Sequence, residues 1–350
     1  MKIACLVSGG VDSSVALSLL KSEDNDLTGF YIKIWLEDEM SYLGASCPWE
    51  EDLNYVKKVC ALLDVPLKVV SMQKEYFEKV VTYTISEVKK GRTPNPDVLC
   101  NNQIKFGLFL KKYGKNFDKV ASGHYSQIVN KYGKYFLKRA NDPIKDQTYF
   151  LANLKQNLLN KIIFPVGNLR KEQVRKIAEK LNLPNKDRKD SQGICFLGKL
   201  KYPEFIKHYL GIKKGDFVEF ETGNKVGIHE GYWFYTLGQR KNIQLSGGPW
   251  FVIKKDIKKN IVYISKNYHS KEKVRNKFEV VKLNMYVEDI PQRGVTVKIR
   301  HGEKEYKCKV RKISDKKLEV ILNKNDQGIS PGQFAVFFKN NLCLGSGTIA

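Results

Sequence analysis

Two cysteines lie in polar loops, where a thiol could do chemistry. The first, Cys100, ends the segment Gly91–Cys100 (GRTPNPDVLC), in which two prolines restrict the backbone. Asp97 precedes it by three residues, close enough to move protons to or from the thiol. We predict that a helix starts at Cys100, where the helix dipole lowers a thiol pKa. The segment therefore indicates nucleophilic sulfur chemistry.

The second cysteine, Cys195, lies in the segment Lys189–Phe196 (KDSQGICF), next to the basic residues Lys186 and Arg188. Positive charge favours a thiolate or a persulfide anion. The sequence has no Cys-x₂-Cys pair and no companion histidine, so no metal-ligand set is predicted. Four other cysteines fall in apolar runs and are predicted to be small buried residues: Cys5, Cys60, Cys308 and Cys343.

A glycine-containing loop, Ser8–Ser14 (SGGVDSS), separates the first predicted strand from the first predicted helix. Glycine lets a backbone approach an anion closely, and a helix N-terminus offers unpaired N–H groups. No Gly-Lys-Ser/Thr ending follows, so this is not a Walker A loop. An ordinary turn with a serine cap is the structural alternative. The complete string after a first strand favours phosphate binding.

The string Ser-Gly-Gly-x-Asp-Ser resembles the PP-loop of N-type ATP pyrophosphatases, which adenylate a substrate oxygen and release pyrophosphate. The resemblance implies that Gly9, Gly10, Asp12 and Ser13 hold the pyrophosphate end of ATP, with Asp12 near Mg²⁺. It leaves the substrate open, because several kinds of synthetase carry related loops.

Strand and helix patterns alternate in the N-terminal part of the chain, which predicts a mostly parallel sheet covered on both faces. Ligands of such sheets bind beyond the carboxyl ends of the strands. The predicted strands are Lys2–Val7, Phe30–Trp35, Pro66–Val70 and Lys119–Ala121, and the predicted helices are Ser13–Leu20, Trp49–Leu63, Tyr76–Lys89 and Ile104–Tyr113.

Short strand-like runs punctuated by glycine dominate after Leu210, among them Trp233–Thr236, and the last ones predict a small barrel. The fold class is therefore α/β, a parallel-sheet PP-loop domain followed by a small mainly β central domain and a C-terminal β-barrel. We place the catalytic ATP-binding domain at 1–205, a central domain at 206–274 and the barrel at 275–350.

The charge of the chain points to a polyanionic partner. It has 61 Lys and Arg against 37 Asp and Glu, a formal net charge of +24. The stretch Lys254–Lys277 alone carries nine of the basic residues. A generally lysine-rich composition explains part of the excess. The sequence has no apolar run of about 20 residues, so we expect no membrane segment and a cytoplasmic protein.

Several motifs together resemble the MnmA/TrmU-type tRNA-uridine 2-sulfurtransferases, with matches from Leu6 through Gly347. The resemblance implies conversion of the wobble uridine of tRNA to 2-thiouridine, with ATP and Mg²⁺, by a monomeric enzyme. The motifs are Gly91–Asn101, Ser122–Tyr125, Lys145–Phe150, Asp190–Phe196 and Thr236–Arg240.

The same resemblance implies roles for the two cysteines. ATP adenylates the C2 oxygen of uridine, and a persulfide on Cys195, loaded by a persulfide-carrying donor protein, attacks C2. Cys100 then attacks the persulfide and leaves a Cys100–Cys195 disulfide, while Asp97 acts as general acid and base. Three alternatives stay open: an iron–sulfur cluster on these three residues with sulfide as donor, another PP-loop ligase for a small acid or amide, and a non-enzymatic RNA-binding protein.

Further contacts follow from the resemblance, residue by residue. His124 is expected near the flipped base, with a locally packed histidine as the alternative. A solvated surface lysine is the alternative for Lys145. The implied ATP contacts are Leu6, Val7, Ser8, Gly9, Gly10, Val11, Asp12, Ser13, Ile32 and Gly123. The implied tRNA contacts are Asn95, Pro96, Asp97, His124, Lys145, Asp146, Gln147, Arg300, His301 and Gln333.

Overall fold

The computed structural model describes residues 1–34, 49–190, 201–268 and 275–350. Its α-helices are α1 (Val11–Ser22), α2 (Trp49–Leu62), α3 (Gln73–Tyr76), α4 (Thr82–Lys89), α5 (Pro96–Leu99), α6 (Phe109–Lys112), α7 (Thr148–Leu151), α8 (Gln156–Leu159), α9 (Lys171–Lys180) and α10 (Tyr202–Leu210). Two π-helical stretches, Phe77–Val81 and Cys100–Leu108, and two 3₁₀ turns, Gly114–Asn116 and Tyr232–Phe234, complete the described helical elements.

The strands in these ranges are β1 (Lys2–Leu6), β2 (Asp26–Lys33), β3 (Leu67–Ser71), β4 (Lys119–Ser122), β5 (Gln127–Lys131), β6 (Lys134–Lys138), β7 (Ile162–Ile163), β8 (Gly215–Glu219), β9 (Lys225–His229), β10 (Phe251–Asp256), β11 (Ile261–Ser265), β12 (Lys277–Met285), β13 (Val295–Lys298), β14 (Tyr306–Ser314), β15 (Lys317–Leu322), β16 (Phe334–Lys339) and β17 (Leu342–Ile349).

The chain forms two compact units. Unit 1 comprises Met1–Val81, Pro96–Leu200 and Phe338–Gly345, and unit 2 comprises Thr82–Asn95, Lys201–Phe337 and Ser346–Ala350. The three predicted domain boundaries stay a prediction.

Unit 1 contains a parallel sheet of strand order β3-β2-β1-β4-β7. Ile3 of β1 is in register with Leu27 of β2 on one side and with Lys119 of β4 on the other. The chain leaves β1 in one direction for β2 and β3 and returns on the other side as β4. The gap between the carboxyl ends of β1 and β4 is therefore the switch point at which open α/β sheets bind ligands.

Buried apolar side chains fix this sheet between helices. One cluster joins Ile3 and Cys5 of β1 to Val56 and Val59 of α2. A second cluster packs α1 against α9, with Val174 of α9 fully buried. Helix α9 is amphipathic, and its apolar residues Val174 and Ala178 face this core. The sheet and both helices hold the loop after β1 in a fixed place.

Unit 2 contains a small sheet of order β10-β11-β8-β9, and the strands that follow it in the chain form a barrel. The barrel strands run β12-β15-β14-β13-β16-β17, and β12 also pairs with β17, which closes a six-stranded barrel. The predicted class, a parallel-sheet α/β domain followed by small β domains and a barrel, is confirmed.

Two local predictions differ from the structure. Trp233–Thr236 is not a strand, because a 3₁₀ turn covers Tyr232–Phe234 and the Tyr232 hydroxyl donates to the Lys89 carbonyl at 2.6 Å. Tyr232 is buried at this turn, whereas Trp233, Phe234 and Tyr235 are half-buried. Strand β12 was not predicted, since its lysines hide the alternation that buries Phe278 and Val280.

No helix within the described ranges has the length and apolar character needed to span a bilayer.

Candidate active site

The Ser8–Ser14 loop turns sharply between β1 and α1. Gly9 has φ +79°, and a Cβ there would lie 2.6 Å from the Asp52 carbonyl oxygen, so only glycine fits. The Ser13 hydroxyl donates to the Gly10 carbonyl at 2.9 Å and accepts from the Ser8 amide at 3.2 Å. These bonds fix the loop so that the N-terminus of α1 lies at the carboxyl edge of the sheet, as phosphate binding requires.

Gly123 follows β4 and packs directly on this loop. A Cβ at Gly123 would lie 2.5 Å from the Ser13 amide nitrogen and 2.6 Å from the Asp12 carbonyl carbon. Ile32 lies near the carboxyl end of the neighbouring strand β2 and is half-buried. The fold thus brings the loop, Ile32 and Gly123 to one edge of the sheet. Their contacts with ATP stay predictions.

His124 is held by its neighbours as a neutral ring. Its Nδ1 shares a hydrogen bond with the Ser122 hydroxyl at 2.8 Å, and its centroid lies 5.9 Å from those of Phe106 and Phe164. Burial of the ring, together with the charge of Lys105, lowers the pKa of His124 to about 3. The side chain is therefore uncharged near neutral pH and can contribute stacking or a neutral hydrogen bond only.

Asp12 is the anchor of a charge cluster that the sequence did not reveal. Lys171, the first residue of α9, places its Nζ 2.7 and 2.9 Å from the two carboxylate oxygens of Asp12. The Tyr125 hydroxyl donates to the same carboxylate at 2.7 Å, and burial together with the charge of Asp12 raises the Tyr125 pKa far above its usual range.

Asp190 extends the cluster. It accepts from Lys171 at 2.7 Å, from Lys145 at 2.6 Å and from Arg175 at 2.7 Å. Burial acts to raise the pKa of Asp190, but the hydrogen bonds and charges of Lys145 and Lys171 prevail and lower it to about 2. Lys145 is thus ion-paired beside the phosphate loop. Its predicted tRNA contact stays a prediction.

Two further residues fasten the phosphate loop from the segment after α9. Asn185, which is 1% exposed, donates to the Gly9 carbonyl at 2.8 Å and to the Ser14 hydroxyl at 2.9 Å. Arg188 donates to the same carbonyl at 3.1 Å. The sequence singled out Arg188 only as a basic neighbour of Cys195, and Asn185 carries no signal because a loop asparagine is a common surface feature. Together they hold the loop backbone at one carbonyl.

Asp97 and Cys100 lie on one helical stretch that begins at Pro96, so the prediction that a helix starts at Cys100 is wrong. Proline suits a first helical position, and this moves the helix start four residues earlier. Cys100 is therefore one turn inside the helix and 1% exposed, away from the terminal dipole. The three-residue spacing still places Asp97 and Cys100 on one helix face.

Asp146 and Gln147, two predicted tRNA contacts, bond to the backbone of unit 1. Asp146 accepts from the Ala140 amide at 3.1 Å, and the Gln147 side chain accepts from the Tyr125 amide at 2.9 Å. Gln147 thus helps to position Tyr125, whose hydroxyl donates to Asp12. Both residues therefore have positioning roles beside any contact with tRNA.

Cys195 lies outside the described residues, so the structure gives no geometry for the cysteine pair. Within the part of the chain that is described, no group of three His, Cys, Asp or Glu side chains is placed to hold a metal ion.

The barrel residues predicted to contact tRNA lie in unit 2. Arg300 forms a two-pronged ion pair with Asp326, at 2.7 and 3.2 Å, while His301 is exposed. The Gln333 side chain donates to the Thr93 carbonyl at 2.9 Å, and the Thr93 amide donates to the Pro331 carbonyl at 2.7 Å. Gln333 thus helps to hold the turn that precedes Asn95.

Three families match successive parts of the chain. Residues 1–199 match the tRNA methyl transferase HUP domain, residues 203–266 the tRNA methyl transferase PRC-barrel domain, and residues 275–349 the aminomethyltransferase beta-barrel domain.

Similar proteins match the chain over its whole length. The tRNA-specific 2-thiouridylase MnmA of Parabacteroides distasonis is 48% identical over 356 residues, which covers 100% of this chain and 99% of that protein. MnmA 1 of Bacteroides thetaiotaomicron and MnmA of Porphyromonas gingivalis are each 45% identical, again over 100% of this chain and 99% of each relative.

Proposed function

Because this chain belongs to the family of tRNA-specific 2-thiouridylases, we propose that it is an ATP-dependent sulfurtransferase that replaces the C2 oxygen of the tRNA wobble uridine by sulfur. The observation that carries the proposal is the match at 48% identity over the complete chain. A phosphate loop built at the switch point of a parallel sheet supports the ATP requirement.

The C2 carbonyl of uridine is a poor electrophile, so its oxygen must first become a leaving group. Attack of that oxygen on the α-phosphorus of ATP forms an O–P bond and releases pyrophosphate. The loop amides and the N-terminus of α1 bind the phosphates, and Lys171 holds the Asp12 carboxylate beside them.

Asp12 fits a magnesium ion, because a carboxylate at a phosphate loop is the ligand that Mg²⁺ uses together with substrate phosphates. Mg²⁺, when bound, supplies charge neutralisation of the triphosphate. Lys171 already bonds both oxygens of Asp12. Lys171 therefore holds the carboxylate in place and balances its charge.

The sulfur step uses the two cysteines of the polar loops. The terminal sulfur of a Cys195 persulfide attacks C2, a C–S bond forms, and AMP leaves with the former C2 oxygen. The Cys100 thiolate then attacks the Cys195 sulfur, which breaks the S–S bond to the transferred sulfur and yields 2-thiouridine and a Cys100–Cys195 disulfide. Asp97, on the same helix face as Cys100, takes up the thiol proton. A thiol reductant restores the cysteines.

A persulfide-carrying protein supplies the sulfur, and the enzyme works as a cytoplasmic monomer on tRNA. An alternative chemistry uses Asp97, Cys100 and Cys195 as ligands of an iron–sulfur cluster with sulfide as donor.

The test is formation of 2-thiouridine. Purified protein is incubated with unmodified tRNA, ATP, Mg²⁺ and a persulfide donor, and nucleosides from the tRNA are analysed by mass spectrometry. We expect product with the wild type and none with Cys195→Ala or Cys100→Ala. Cys308→Ala is the matched control, because burial raises the pKa of Cys308 to about 12 and makes that thiol inert.

Four outcomes contradict parts of the proposal. Absence of product from both aerobic and anaerobic preparations rejects the thiolation itself. Activity of Cys195→Ala rejects the persulfide role, and activity confined to a brown, oxygen-sensitive preparation favours the cluster. Pyrophosphate release that does not depend on tRNA indicates a ligase for a small acid or amide.

A further inference from the structure

Unit 2 contains an open cavity of about 560 Å³ whose lining is strongly basic. Its walls include the turn after α4, strand β10 and Arg275, which lies just before β12. The basic residues that line it are Lys90, Arg92, Lys254, Lys255 and Arg275.

Two of these cations form hydrogen bonds to backbone carbonyls. Lys255, which is half-buried, donates to the Tyr235 carbonyl at 2.8 Å. Arg275 donates to the Ile329 carbonyl at 3.0 Å. The charge of Asp326 acts on Arg275 against the lowering of its pKa by burial, but that carboxylate is itself paired with Arg300. Burial lowers the pKa of Lys255 to about 8, so its ammonium form still predominates near neutral pH.

Two cations on another wall are partly compensated. Lys90 and Arg92 both pair with Glu87, at 3.2 and 3.3 Å. One carboxylate shared by two cations leaves a net positive charge there as well. Partly desolvated positive charges arranged around a concave surface are the environment that a phosphate group fits.

The cavity also has an apolar rim. Phe220 is 39% exposed and Ile257 is 40% exposed, and both line it. An exposed aromatic ring beside cations suits a nucleotide, because the base stacks while the phosphate pairs with the charges. A bare inorganic anion would not use this rim.

The chain places the cavity close to the segment expected to meet the target base. Arg92 precedes Asn95 by three residues, which span at most about 11 Å. The Thr93 amide bonds the Pro331 carbonyl at 2.7 Å, which fixes the turn within unit 2. A nucleotide held in the cavity is therefore a near neighbour of the residue that starts the base-contact segment.

We propose that this cavity is a nucleotide-binding subsite that holds one phosphate of the RNA strand next to the modified uridine, with Lys255 and Arg275 as its principal phosphate contacts and Phe220 as a stacking surface. The proposal rests on the proposed function for the identity of the RNA. The same chemistry would accept a free nucleotide such as AMP, and the experiment separates these two sources.

The experiment measures equilibrium binding of fluorescent tRNA to the full chain by anisotropy at several salt concentrations, without ATP or sulfur donor. We expect Arg275→Gln and Lys255→Gln each to weaken binding about tenfold, as loss of a charged hydrogen bond predicts. Each should lower the slope of log affinity against log salt by about 0.7. Phe220→Ala should weaken binding without changing that slope.

Lys316→Gln is the matched control, because Lys316 is an exposed lysine in the β14–β15 turn and does not line the cavity. Lys254→Gln, at an exposed position of the rim, repeats the test without touching a half-buried side chain. Thermal unfolding of every variant shows which changes act through folding.

The result that overturns the proposal is equal tRNA affinity and salt slope for the cavity variants and for Lys316→Gln. Binding of AMP that Arg275→Gln abolishes, with tRNA binding unchanged, rejects RNA as the occupant and assigns the cavity to a free nucleotide. The binding assay is independent of the 2-thiouridine assay described above. If the chain binds tRNA through this cavity but forms no 2-thiouridine in that assay, the proposed function is rejected and the subsite is not.

Discussion

The Nζ of Lys171 lies within 2.9 Å of both carboxylate oxygens of Asp12, although 159 residues separate the two in the chain. The pair joins the start of α9 to the phosphate loop, and Asp190 bonds the same ammonium group at 2.7 Å. Binding of ATP therefore meets a lysine already oriented by two carboxylates. Lys171 thus keeps the Asp12 carboxylate in one orientation before ATP binds, so this part of the site is preorganised.

Replacing Lys171 by methionine tests this role. We expect pyrophosphate release in the presence of tRNA to fall by about 10²–10³, the usual effect of losing one preorganised group at a reacting charge. Lys176→Met is the control, since Lys176 is exposed on the same helix and should keep full activity. Equal activity of the two variants, measured by pyrophosphate release at saturating ATP, would remove Lys171 from the site.

Replacing Gly123 by alanine should disable the phosphate loop. The added Cβ would lie 2.5 Å from the Ser13 amide nitrogen, and this clash can be relieved only if the phosphate loop moves. A displacement of about 1 Å costs roughly 100-fold in rate. Gly133→Ala is the comparison, because Gly133 has φ +77° with nothing within 4 Å of an added Cβ. That variant should lose about 1 kcal/mol of stability and no ATP affinity, as calorimetric titration can show.

His124 should stay neutral throughout the physiological pH range. Its pKa is lowered to about 3 by burial and by Lys105, so the folded protein does not bind a proton there between about pH 5 and 8. In the unfolded chain, the His124 ring binds a proton when the pH is below the ordinary histidine pKa. Acidification below the ordinary histidine pKa therefore favours the unfolded chain. The free energy of unfolding rises with pH until the pH exceeds that ordinary pKa.

The His124 ring can be followed by NMR of selectively labelled protein. Its carbon shifts should remain constant from about pH 8 to pH 5, and His124→Phe should reduce the dependence of the unfolding free energy on pH in the acid range. A titration midpoint within that interval contradicts the assignment.

Asp326 should be a major source of acid sensitivity in unit 2. Burial acts to raise its pKa, but hydrogen bonds from Tyr306 and Arg300 prevail and lower it below the ordinary value. The stabilisation is complete above the ordinary pKa and is lost as pH falls through the lowered one. Asp326→Asn leaves Arg300, whose side chain is 34% exposed, without its partner and should cost about 1–3 kcal/mol, as measured by urea unfolding.

The control for Asp326 is Asp315→Asn, because the pair of Asp315 with Lys312 is exposed. It should leave stability almost unchanged. If the two variants unfold at the same urea concentration, the ion pair of Asp326 with Arg300 does not stabilise unit 2.

Much of the fold follows from patterns that the sequence displays directly. Alternating apolar runs predicted the parallel sheet, and the loop after β1 predicted a phosphate site because glycines and a helix start are local features. Gly123 could be named only through resemblance, since its need for glycine arises from contact with Ser13. Lys171, Asn185 and Arg188 escaped prediction for the same physical reason: their roles depend on packing between segments far apart in the chain.

The segment Thr82–Asn95 is counted with unit 2, whereas Pro96 and Cys100 belong to unit 1. Thr93 is held there by bonds to Pro331, Thr236 and Gln333. An N-terminal fragment cut after the predicted catalytic domain would keep every residue from Gly91 to Cys100 and lose every one of these anchors. The predicted catalytic domain therefore lacks, on its own, the residues that hold the turn before Asn95. A chimera that carries a relative's C-terminal part would replace Pro331 and Gln333, which support that turn.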